Sequence, residues 1–466
     1  MRLLITISFS FSIRYIVRTG LLEKLRSFCT PVIAIAWEET VLVKELSHNG
    51  YEVHVIPISK REPLYNDARK KINIWFKYFQ LKSPSTKIQE KYVDGFANWK
   101  TKALRNLRIF YNICKLYIPG SIQRLFKKEK ELLVTATNYN ALSNFIDQLN
   151  IDAVFTLTPF HIQEDLLLRA CQAKNKKMIA GILSFDNLTK RGWIPVIYDA
   201  YLLWNKYNER ELYRIYPTSK QRSVYITGAP QFDFYFKTDN LLPEQIWRKK
   251  VGIQPEDKRK IILYAGGPKS LFPIEPLILR DIIDALNDGL ISNAVVLFRC
   301  HPMDDIERWK TVIGPSHHIV YDKSWTGKDK AGFVNITDDD IKKLCSTLAY
   351  TDVHINLCST MTVDGSAYSK PQIGPAYIPN DTNASAALRM MYYQEHFLPI
   401  IATGGLLLAN SKKELIEHII SCLANPQTSS DKSNVILEEI ITYKDGNNME
   451  RVVQALKQQL FEADFN

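Results

Sequence analysis

The sequence lacks the features that mark a membrane-spanning, secreted or metal-binding protein. No apolar stretch reaches the roughly 18 residues needed to cross a bilayer, so no spanning helix is expected. Arg14 and Arg18 interrupt the apolar start and no small-residue cleavage site follows, so no signal peptide is expected. The seven cysteines include no Cys-x-x-Cys pair, which argues against a disulfide framework or a zinc cluster and favours a cytoplasmic location. No Asp-x-Asp pair follows a predicted strand, so we expect neither a metal ion nor another cofactor.

Positive charge is abundant and unevenly placed. The chain of 466 residues has a net charge of +11, and residues 60–130 alone contain 18 Lys and Arg against 5 Asp and Glu. Twelve aromatic residues are mixed into the same segment. Such a segment suits an anionic partner, either a membrane surface or a charged acceptor, but a solvated helical face has the same composition. No RNA- or DNA-binding module accompanies the charges, so no nucleic-acid partner is expected.

Short apolar runs alternate with helical patterns along most of the chain. Together with its length, this alternation predicts an α/β protein of two Rossmann-like, doubly wound domains with a cleft between them. We expect a first domain over 1–235 with a basic, aromatic helical insertion at 60–130. A second domain is predicted over 236–440, followed by a C-terminal helix within 441–466. The polar stretch at 235–255 is predicted to link the domains.

Three loops of the predicted second domain suit phosphate binding, because ligands bind beyond the carboxyl ends of strands in open α/β sheets. Gly266 and Gly267 would expose backbone N–H groups, although a plain turn has the same composition. Arg299 and His301 follow an apolar strand and offer hydrogen-bond donors, although a lone histidine is more often structural. The third loop precedes a helix and offers hydroxyl groups and a carboxylate, from Ser359, Thr360, Thr362 and Asp364. The structural alternative is that these residues only cap the helix.

The same loops carry a resemblance to a known superfamily. With Ser369-Lys370-Pro371 and the turn at 227–233, they resemble the donor-binding domain of glycosyltransferase-B (GT-B) enzymes, and within it bacterial CDP-glycerol glycerophosphotransferases and related surface-polysaccharide transferases. The turn is also similar to one in non-hydrolysing UDP-sugar 2-epimerases. The resemblance covers about 220–380 and implies that His301 and the Ser359–Thr360 loop hold the diphosphate of a nucleotide-linked donor substrate, with Asp364 near its ribose. No Glu-rich sugar-binding loop of the retaining transferases is present, so an inverting mechanism is expected.

Two loops of the first domain are candidates for the acceptor side. Ser10, Ser12 and Arg14 follow the first strand and would line an acceptor cleft. The loop at 184–192 holds more polar residues than a turn requires, and its acceptor-binding candidates are Asn187, Thr189, Lys190 and Arg191. A transfer needs a base that takes the proton of the acceptor hydroxyl, and the alternatives for this role are Asp186 and His161.

These features predict a glycosyltransferase that moves a sugar from a nucleotide-activated donor to a glycan or lipid-linked acceptor in bacterial surface polysaccharide synthesis. Inversion without a metal ion is expected, in the cytoplasm and at the inner face of the membrane. The alternatives are a CDP-glycerol glycerophosphotransferase, a UDP-sugar 2-epimerase of the same two-domain plan, and a non-catalytic glycan-binding scaffold. The basic segment 60–130 favours a transferase over an epimerase, which needs no basic insertion.

Overall fold

Two parallel β-sheets organise the computed structural model, which describes residues 1–36, 40–57, 62–314, 316–325 and 335–461. Residues 60 and 61 of the predicted insertion and 462–466 of the predicted C-terminal helix lie outside the described residues. The first sheet consists of β1 (Arg2–Ile7), β2 (Thr30–Ile35), β3 (Glu52–Val55), β4 (Ala153–Thr156), β5 (Lys177–Gly181), β6 (Ala200–Leu203) and β7 (Ser223–Ile226). Its order is β3-β2-β1-β4-β5-β6-β7, and neighbouring strands are parallel.

The second sheet repeats this plan with six strands in the described part of the chain. They are β8 (Lys260–Ala265), β9 (Ala294–Arg299), β10 (Ile319–Asp322), β11 (Val353–Asn356), β12 (Gln372–Pro375) and β13 (Leu406–Ala409). The order is β10-β9-β8-β11-β12-β13, again in parallel. In each sheet the order of the strands switches from one side of the first strand to the other. This switch opens a crevice between β1 and β4 in the first sheet and between β8 and β11 in the second. The predicted fold class, two Rossmann-like domains, is confirmed.

Helices cover the faces of both sheets. Those before the second sheet are α1 (Phe11–Ile16), α2 (Leu21–Leu25), α3 (Thr40–His48), α4 (Pro63–Trp75), α5 (Pro84–Asp94), α6 (Trp99–Leu116), α7 (Ser121–Thr135), α8 (Thr137–Leu149), α9 (Ile162–Ala173), α10 (Asn187–Lys190), α11 (Lys206–Ile215) and α12 (Glu244–Val251). Those that follow are α13 (Pro276–Asn287), α14 (Lys310–Ile313), α15 (Asp338–Tyr350), α16 (Met361–Ser366), α17 (Thr382–Met391), α18 (Leu398–Ala402), α19 (Lys412–Ala424), α20 (Gln427–Ile441) and α21 (Asn448–Phe461). Within the described ranges, no helix combines the length and the apolarity that crossing a bilayer requires.

Shorter helical segments complete the chain. Residues Phe76–Leu81 are π-helical and continue α4. The 3₁₀ turns are Pro217–Gln221, Pro230–Phe236, Thr238–Asn240, Ile306–Trp309 and Glu395–Phe397. The polar stretch predicted as a linker contains α12, whose Trp247 is buried in the core of the second domain.

The basic insertion at 60–130 forms α4 to α6 and most of α7, and its α5 crosses to the second domain. Tyr92 of α5 is buried in the same core cluster as the strands of the second sheet, with its ring 5.9 Å from that of Phe272. The Ser85 hydroxyl at the start of α5 accepts a hydrogen bond from the backbone N–H of Glu395 at 2.8 Å. The insertion therefore contacts both domains.

The C-terminal helix returns to the first domain. Met449, Val452 and Leu456 of α21 pack into the core on one face of the first sheet. Asp233, in the turn at 227–233, accepts hydrogen bonds from the backbone N–H groups of Asn448 at 3.1 Å and Met449 at 2.8 Å. The turn that carries part of the sequence resemblance thus anchors the helix that closes the chain.

Candidate active site

Loops at the carboxyl ends of both sheets meet across a cleft between the domains. Arg14, beyond β1, lies with its Nη2 3.4 Å from Oδ1 of Asp364 in α16. The Tyr235 hydroxyl, from the connection between the domains, donates to the same carboxylate oxygen. Arg18 also crosses the cleft, and its Nε donates to the carbonyl of Ile336 at 2.6 Å. The crevices at the carboxyl ends of the two sheets therefore open onto the same cleft.

The pairing of Arg14 with Asp364 does not match the roles predicted for them. Arg14 was expected to face an acceptor and Asp364 a ribose, but both side chains are largely buried and each neutralises the other. The Tyr235 hydroxyl donates to the same oxygen of the Asp364 carboxylate as Arg14 contacts. The sequence assigned the two residues to loops of different domains, 350 positions apart. In this structure they join the domains.

Asp186 is paired within its own loop. Lys190 Nζ is 3.4 Å from its Oδ2, and Asn187 Nδ2 donates to its Oδ1 at 3.0 Å. Burial raises the pKa of Asp186, but the neighbouring cations, Lys190 foremost, hold that pKa well below its usual range. A carboxylate this acidic accepts a proton poorly, so its surroundings favour an ion-pairing role over that of a base.

His161 has the protonation state that a base requires. It stands between β4 and α9, with its ring 6.3 Å from the ring of Phe9. Burial and the charge of Arg191 lower the pKa of His161, so the imidazole is neutral at pH 7. Its buried Nδ1 has no hydrogen-bond partner among the residues that the structure describes. Of the two alternatives, His161 is the better proton acceptor.

A buried carboxylate that sequence reasoning missed organises the crevice beside His161. Glu164 accepts hydrogen bonds from the hydroxyls of Thr6 at 2.8 Å, Thr156 at 2.5 Å and Thr158 at 2.8 Å. Ser8 Oγ lies 3.0 Å from Thr158 Oγ1, which ties the end of β1 to the end of β4. Burial raises the pKa of Glu164, and these hydroxyl donors oppose that rise. The alternation of hydroxyl residues along both strands was the available sequence signal.

The remaining acceptor candidates divide into accessible and internal residues. Lys190 is half-buried, and Arg191 is exposed with its guanidinium 6.0 Å from the centre of the Phe9 ring. The internal candidates are Ser10, Ser12, Asn187 and Thr189. Asn187 and Thr189 bond within their own loop, to the backbone N–H of Ser184 at 3.2 Å and to the Asp186 carbonyl at 3.3 Å. The two cations are therefore the accessible candidates, and of the internal ones Thr189 lines a cavity beside the loop.

The paired glycines of the second domain are engaged by the protein itself. A Cβ at Gly266 would lie 3.0 Å from the Trp309 ring, and one at Gly267 would lie 2.5 Å from the Phe272 ring. The N–H of Gly267 donates to Glu275 Oε2 at 2.8 Å, and burial raises the pKa of Glu275 to about 7. Close packing explains these glycines, and the Gly267 N–H points at a carboxylate instead of a phosphate.

Arg299 is buried at the end of β9. Its Nη1 donates to Asp322 Oδ2 at 2.5 Å and its Nη2 to the Ser324 carbonyl at 2.7 Å. The guanidinium also lies 5.3 Å from the centre of the Trp325 ring. The predicted contact with a donor phosphate does not match this placement, because both terminal nitrogens serve internal partners.

His301 follows Arg299 by two residues and is half-buried in the loop beyond β9. Its Nδ1 accepts a hydrogen bond from the backbone N–H of Met303 at 3.0 Å. A neutral imidazole that accepts at Nδ1 carries its hydrogen on Nε2. His301 therefore has a donor of the kind that a phosphate oxygen accepts.

The loop after β11 combines backbone strain with accessible hydroxyls. Cys358 has φ of +42°, a left-handed conformation that a non-glycine residue rarely adopts outside functional or strained sites. Ser359 is half-buried and Thr360 exposed, whereas Thr362 is buried and donates to Asn356 Oδ1 at 2.8 Å. Burial raises the pKa of the Cys358 thiol, and Lys190 of the first domain partly opposes that rise. Ser359 and Thr360 are therefore the accessible hydroxyls of this loop.

A cavity of about 210 Å³ lies beside the 184–192 loop. The insertion supplies most of its wall, including Lys77 and, from α6, Arg105. Lys190 closes it from the first domain, and Glu90 adds one negative charge. The lining holds three cations and one anion, but Lys190 is also paired with Asp186 and Arg105 with Asp94, which balance part of its positive charge.

Two further titratable residues of the cleft were missed by sequence reasoning. His396 is buried, with its ring 6.1 Å from that of Phe185, and burial together with Lys190 lowers its pKa to about 3. Burial raises the pKa of Glu211 in α11 to about 8, and Asn208 Nδ2 donates to it at 3.1 Å. Neither residue follows a predicted strand, so no sequence signal singled them out. In the described part of the chain, no group of three or more His, Cys, Asp or Glu residues is arranged to hold a metal ion.

Comparison with protein families gives one match, which covers more than half of the chain. The sequence profile described as CDP-glycerol:poly(glycerophosphate) glycerophosphotransferase matches residues 196–458. This range includes the second sheet, the turn at 227–233 and most of α21. No curated protein sequence matches.

Solved structures show the same fold at low sequence identity. A putative UDP-N-acetylglucosamine 2-epimerase from Listeria monocytogenes is 12% identical, with a TM-score of 0.56 over 99% of this chain and 97% of that one. A UDP-GlcNAc 2-epimerase from Neisseria meningitidis, bound to UDP-GlcNAc, is 10% identical, with a TM-score of 0.56 over 98% and 100%. A glycosyltransferase from Rickettsia africae is 13% identical, with a TM-score of 0.53 over 99% of both chains. These likenesses agree with the GT-B resemblance.

Proposed function

The chain belongs to the CDP-glycerol:poly(glycerophosphate) glycerophosphotransferase family and is a transferase, and on this premise we propose that it transfers a group from a nucleotide-linked donor to an anionic glycan or lipid-linked acceptor. The proposed process is bacterial surface polysaccharide synthesis, carried out in the cytoplasm at the inner face of the membrane. The observation that carries the proposal is the meeting of strand-end loops from both sheets, where Arg14 of the first domain lies 3.4 Å from Asp364 of the second.

The donor substrate is proposed to bind on the second domain. His301 would donate from Nε2 to the diphosphate, and the hydroxyls of Ser359 and Thr360 would donate beside it. The Neisseria relative of the same fold is bound to a nucleotide sugar, which supports a nucleotide donor here as well. The positive charges of Lys190 and Arg191 would stabilise the leaving phosphate from the opposite side of the cleft.

His161 is proposed to act as the base. Its neutral imidazole would take the proton of the acceptor hydroxyl as the oxygen forms its new bond. Asp186 would keep Lys190 oriented toward the leaving group, since the two are paired at 3.4 Å. The proposal requires no metal ion, because cations and hydrogen-bond donors of the protein would balance the phosphate charge.

Two transferred groups remain candidates, and the bond that breaks distinguishes them. In sugar transfer with inversion, the acceptor oxygen attacks the anomeric carbon and a nucleoside diphosphate leaves. In glycerophosphate transfer, the acceptor oxygen attacks the phosphorus next to glycerol and a nucleoside monophosphate leaves. Sugar transfer is the expectation from the sequence, and the family match favours glycerophosphate transfer.

Identification of the released nucleotide tests the proposal. The protein would be incubated with UDP-sugars and with CDP-glycerol, each with and without a phosphate-rich polyol acceptor, and the nucleotides separated by chromatography. Acceptor-dependent UDP indicates sugar transfer, and acceptor-dependent CMP indicates glycerophosphate transfer. An altered UDP-sugar without acceptor would indicate an epimerase, and intact donors throughout would indicate a binding scaffold. Either of these last results contradicts the proposal.

A further inference from the structure

The cavity beside the 184–192 loop lies between the insertion and an acceptor-side loop of the first domain. Its wall combines Lys77 of the π-helical segment, residues of α5, Arg105 of α6, and Thr189 and Lys190 of the loop. All of these residues precede position 196, where the match to the glycerophosphotransferase profile begins. The cavity is therefore a feature of the part of the chain that the profile does not describe.

Three side chains of this wall carry polar groups that the protein itself does not use. Thr86 and Gln89 are three residues apart and so lie on one side of α5, and both are half-buried, as is Lys77. None of the three side chains makes a hydrogen bond within the part of the chain that the structure describes. One hydroxyl, one amide and one ammonium group offer donors and acceptors together. Polar groups partly withdrawn from water in this way favour a ligand that hydrogen bonds to them.

The charges of the cavity are balanced by its surroundings. The wall holds three cations and one carboxylate, from Lys77, Arg105, Lys190 and Glu90. Two further carboxylates lie just outside the wall, since Asp186 is 3.4 Å from Lys190 and Asp94 is paired with Arg105. Three carboxylates therefore stand against the three cations, and a phosphate would gain little from entering.

The rest of the wall separates the remaining classes of ligand. Val93 is its one apolar residue, and no aromatic ring lines it, among the residues that the structure describes. An acyl chain would need more apolar surface, and a nucleobase would need an aromatic ring to stack on. A neutral polyol, such as a sugar or glycerol unit, presents hydroxyls that both donate and accept. The volume of about 210 Å³ suits one such unit, since pockets for drug-sized ligands begin at roughly 300 Å³.

The 184–192 loop connects the cavity with the proposed base. Thr189 and Lys190 line the cavity, and the guanidinium of the next residue, Arg191, lies 6.0 Å from the centre of the Phe9 ring. The Phe9 ring is in turn 6.3 Å from the ring of His161. One loop thus reaches two separate places, the cavity and the surroundings of His161.

We propose that this cavity is a second acceptor subsite, which binds one neutral polyol unit of the acceptor away from the reacting hydroxyl. The subsite rests on the proposed function, which gives the acceptor side to the first domain, and it adds a place where the acceptor is recognised. Acceptors of several units should therefore bind more tightly than a single unit, because only they reach both places at once.

Titration by ligand-observed NMR tests the subsite in the absence of any nucleotide. The full chain would be titrated with glycerol, ribitol, N-acetylglucosamine and inorganic phosphate. The cavity variant combines Thr86→Val and Gln89→Leu, which keep the shape of the side chains and remove their hydrogen-bonding groups. Its matched control combines Thr101→Val and Gln123→Leu, the same changes at exposed positions of α6 and α7. Lys77→Met changes the wall from another segment and serves as a second cavity variant.

We expect wild type and control to bind at least one of the three polyols, and both cavity variants to bind it about tenfold more weakly. Equal binding by wild type and both cavity variants, or no polyol binding by wild type, would overturn the subsite. Phosphate binding that the cavity variants weaken, without polyol binding, would show an anion site and would overturn it as well. These titrations contain no donor and need no turnover, so failure of the subsite is distinct from failure of the proposed transfer, which nucleotide release reports.

Discussion

At the residue scale, the two histidines beyond β4 and β9 differ in the chemistry that their surroundings allow. His161 has a lowered pKa and a buried Nδ1, which favour proton acceptance. His301 accepts a backbone hydrogen bond at Nδ1, so a neutral ring carries its hydrogen on Nε2. The sequence identified both by their position after a strand, but only the hydrogen bonds separate their roles.

Replacement of His161 should remove the base. We expect His161→Gln to keep donor binding and to lower kcat by roughly 10²–10⁴-fold, the usual size of general-base catalysis. Because the folded pKa is lowered, the imidazole stays neutral to a lower pH, and the wild-type rate should fall only below the ordinary histidine value of about 6.5. Rates measured across pH for both proteins check this. A larger kcat loss in Asp186→Asn than in His161→Gln would contradict the choice of base.

Replacement of His301 should weaken donor binding. We expect His301→Ala to reduce affinity for the best nucleoside diphosphate by about 1.5–3 kcal/mol, the range for a hydrogen bond to a charged group. Calorimetric titration measures this loss of affinity. The control is His317→Ala, because this exposed histidine precedes β10 and so lies at the amino end of the parallel strands, whereas His301 lies at their carboxyl end. Equal affinity of wild type and His301→Ala, both folded, would remove His301 from the site.

Four of the predicted site residues are bonded to partners within the protein. Arg299 ends a strand, where side chains alternate between faces, and the sequence does not show that its side chain turns inward to Asp322. Gly267 is a strand-end glycine whose N–H is taken by Glu275. Arg14 and Asp364 pair across the domain boundary. The sequence predicts that these residues lie at the ends of strands. It does not predict which residues they bond to, because those partners lie elsewhere in the chain.

At the scale of elements, the hydrophobic pattern of the sequence predicts both strands and helices: the pattern at 163–173, for example, predicts a helix within one residue of α9. The apolar runs at 200–203, 260–265 and 294–299 predict strands with the bounds of β6, β8 and β9, because they are rich in residues that favour strands and end at polar loops. The pattern does not predict β13, since its sequence Leu-Leu-Leu-Ala has no β-branched residue and suits a helix equally well. The pattern at 132–149 predicts one helix, but Ala136 is extended and separates α7 from α8.

Helix α5 is expected to be a structural bridge between the domains. Tyr92→Ala should destabilise the protein by about 3 kcal/mol, the size seen for large aromatic side chains removed from a core. Tyr111→Ala in the neighbouring α6 is the control and should change stability by less than about 0.5 kcal/mol, because its side chain is exposed. Urea denaturation of the three proteins measures the difference. Equal midpoints for both variants would show that α5 does not dock on the second domain in solution.

At the scale of the whole molecule, contacts inside the cleft hold the two domains together. Arg14 and Tyr235 both bind the Asp364 carboxylate, and Arg18 binds a backbone carbonyl of the second domain. The cleft between two Rossmann-like domains could be predicted from the sequence, because the strand pattern occurs twice. The contacts of Arg14, Tyr235 and Arg18 across the cleft and the bridge through α5 could not be predicted, since they depend on how the two domains are placed relative to each other.

Loss of the Arg14 cation should loosen this closure. We expect Arg14→Gln to lower stability by about 2 kcal/mol, because the buried Asp364 carboxylate loses a charged partner. Arg191→Gln is the matched control, since its side chain is exposed. Thermal unfolding of both variants measures the effect, and an unchanged Arg14→Gln protein would show that the contact adds nothing to closure.

The central claim is that the cleft binds a nucleotide-linked donor through the second domain. A thermal-shift panel of UDP, CDP, GDP and CMP, with their sugar or glycerol conjugates, tests it most directly, because a ligand of the native state at about 100 times its Kd adds roughly 2.7 kcal/mol of stability. We expect at least one nucleotide to raise the melting temperature of the wild type, and to raise that of His301→Ala by much less. No shift with any nucleotide, or an equal shift in His301→Ala, would contradict it.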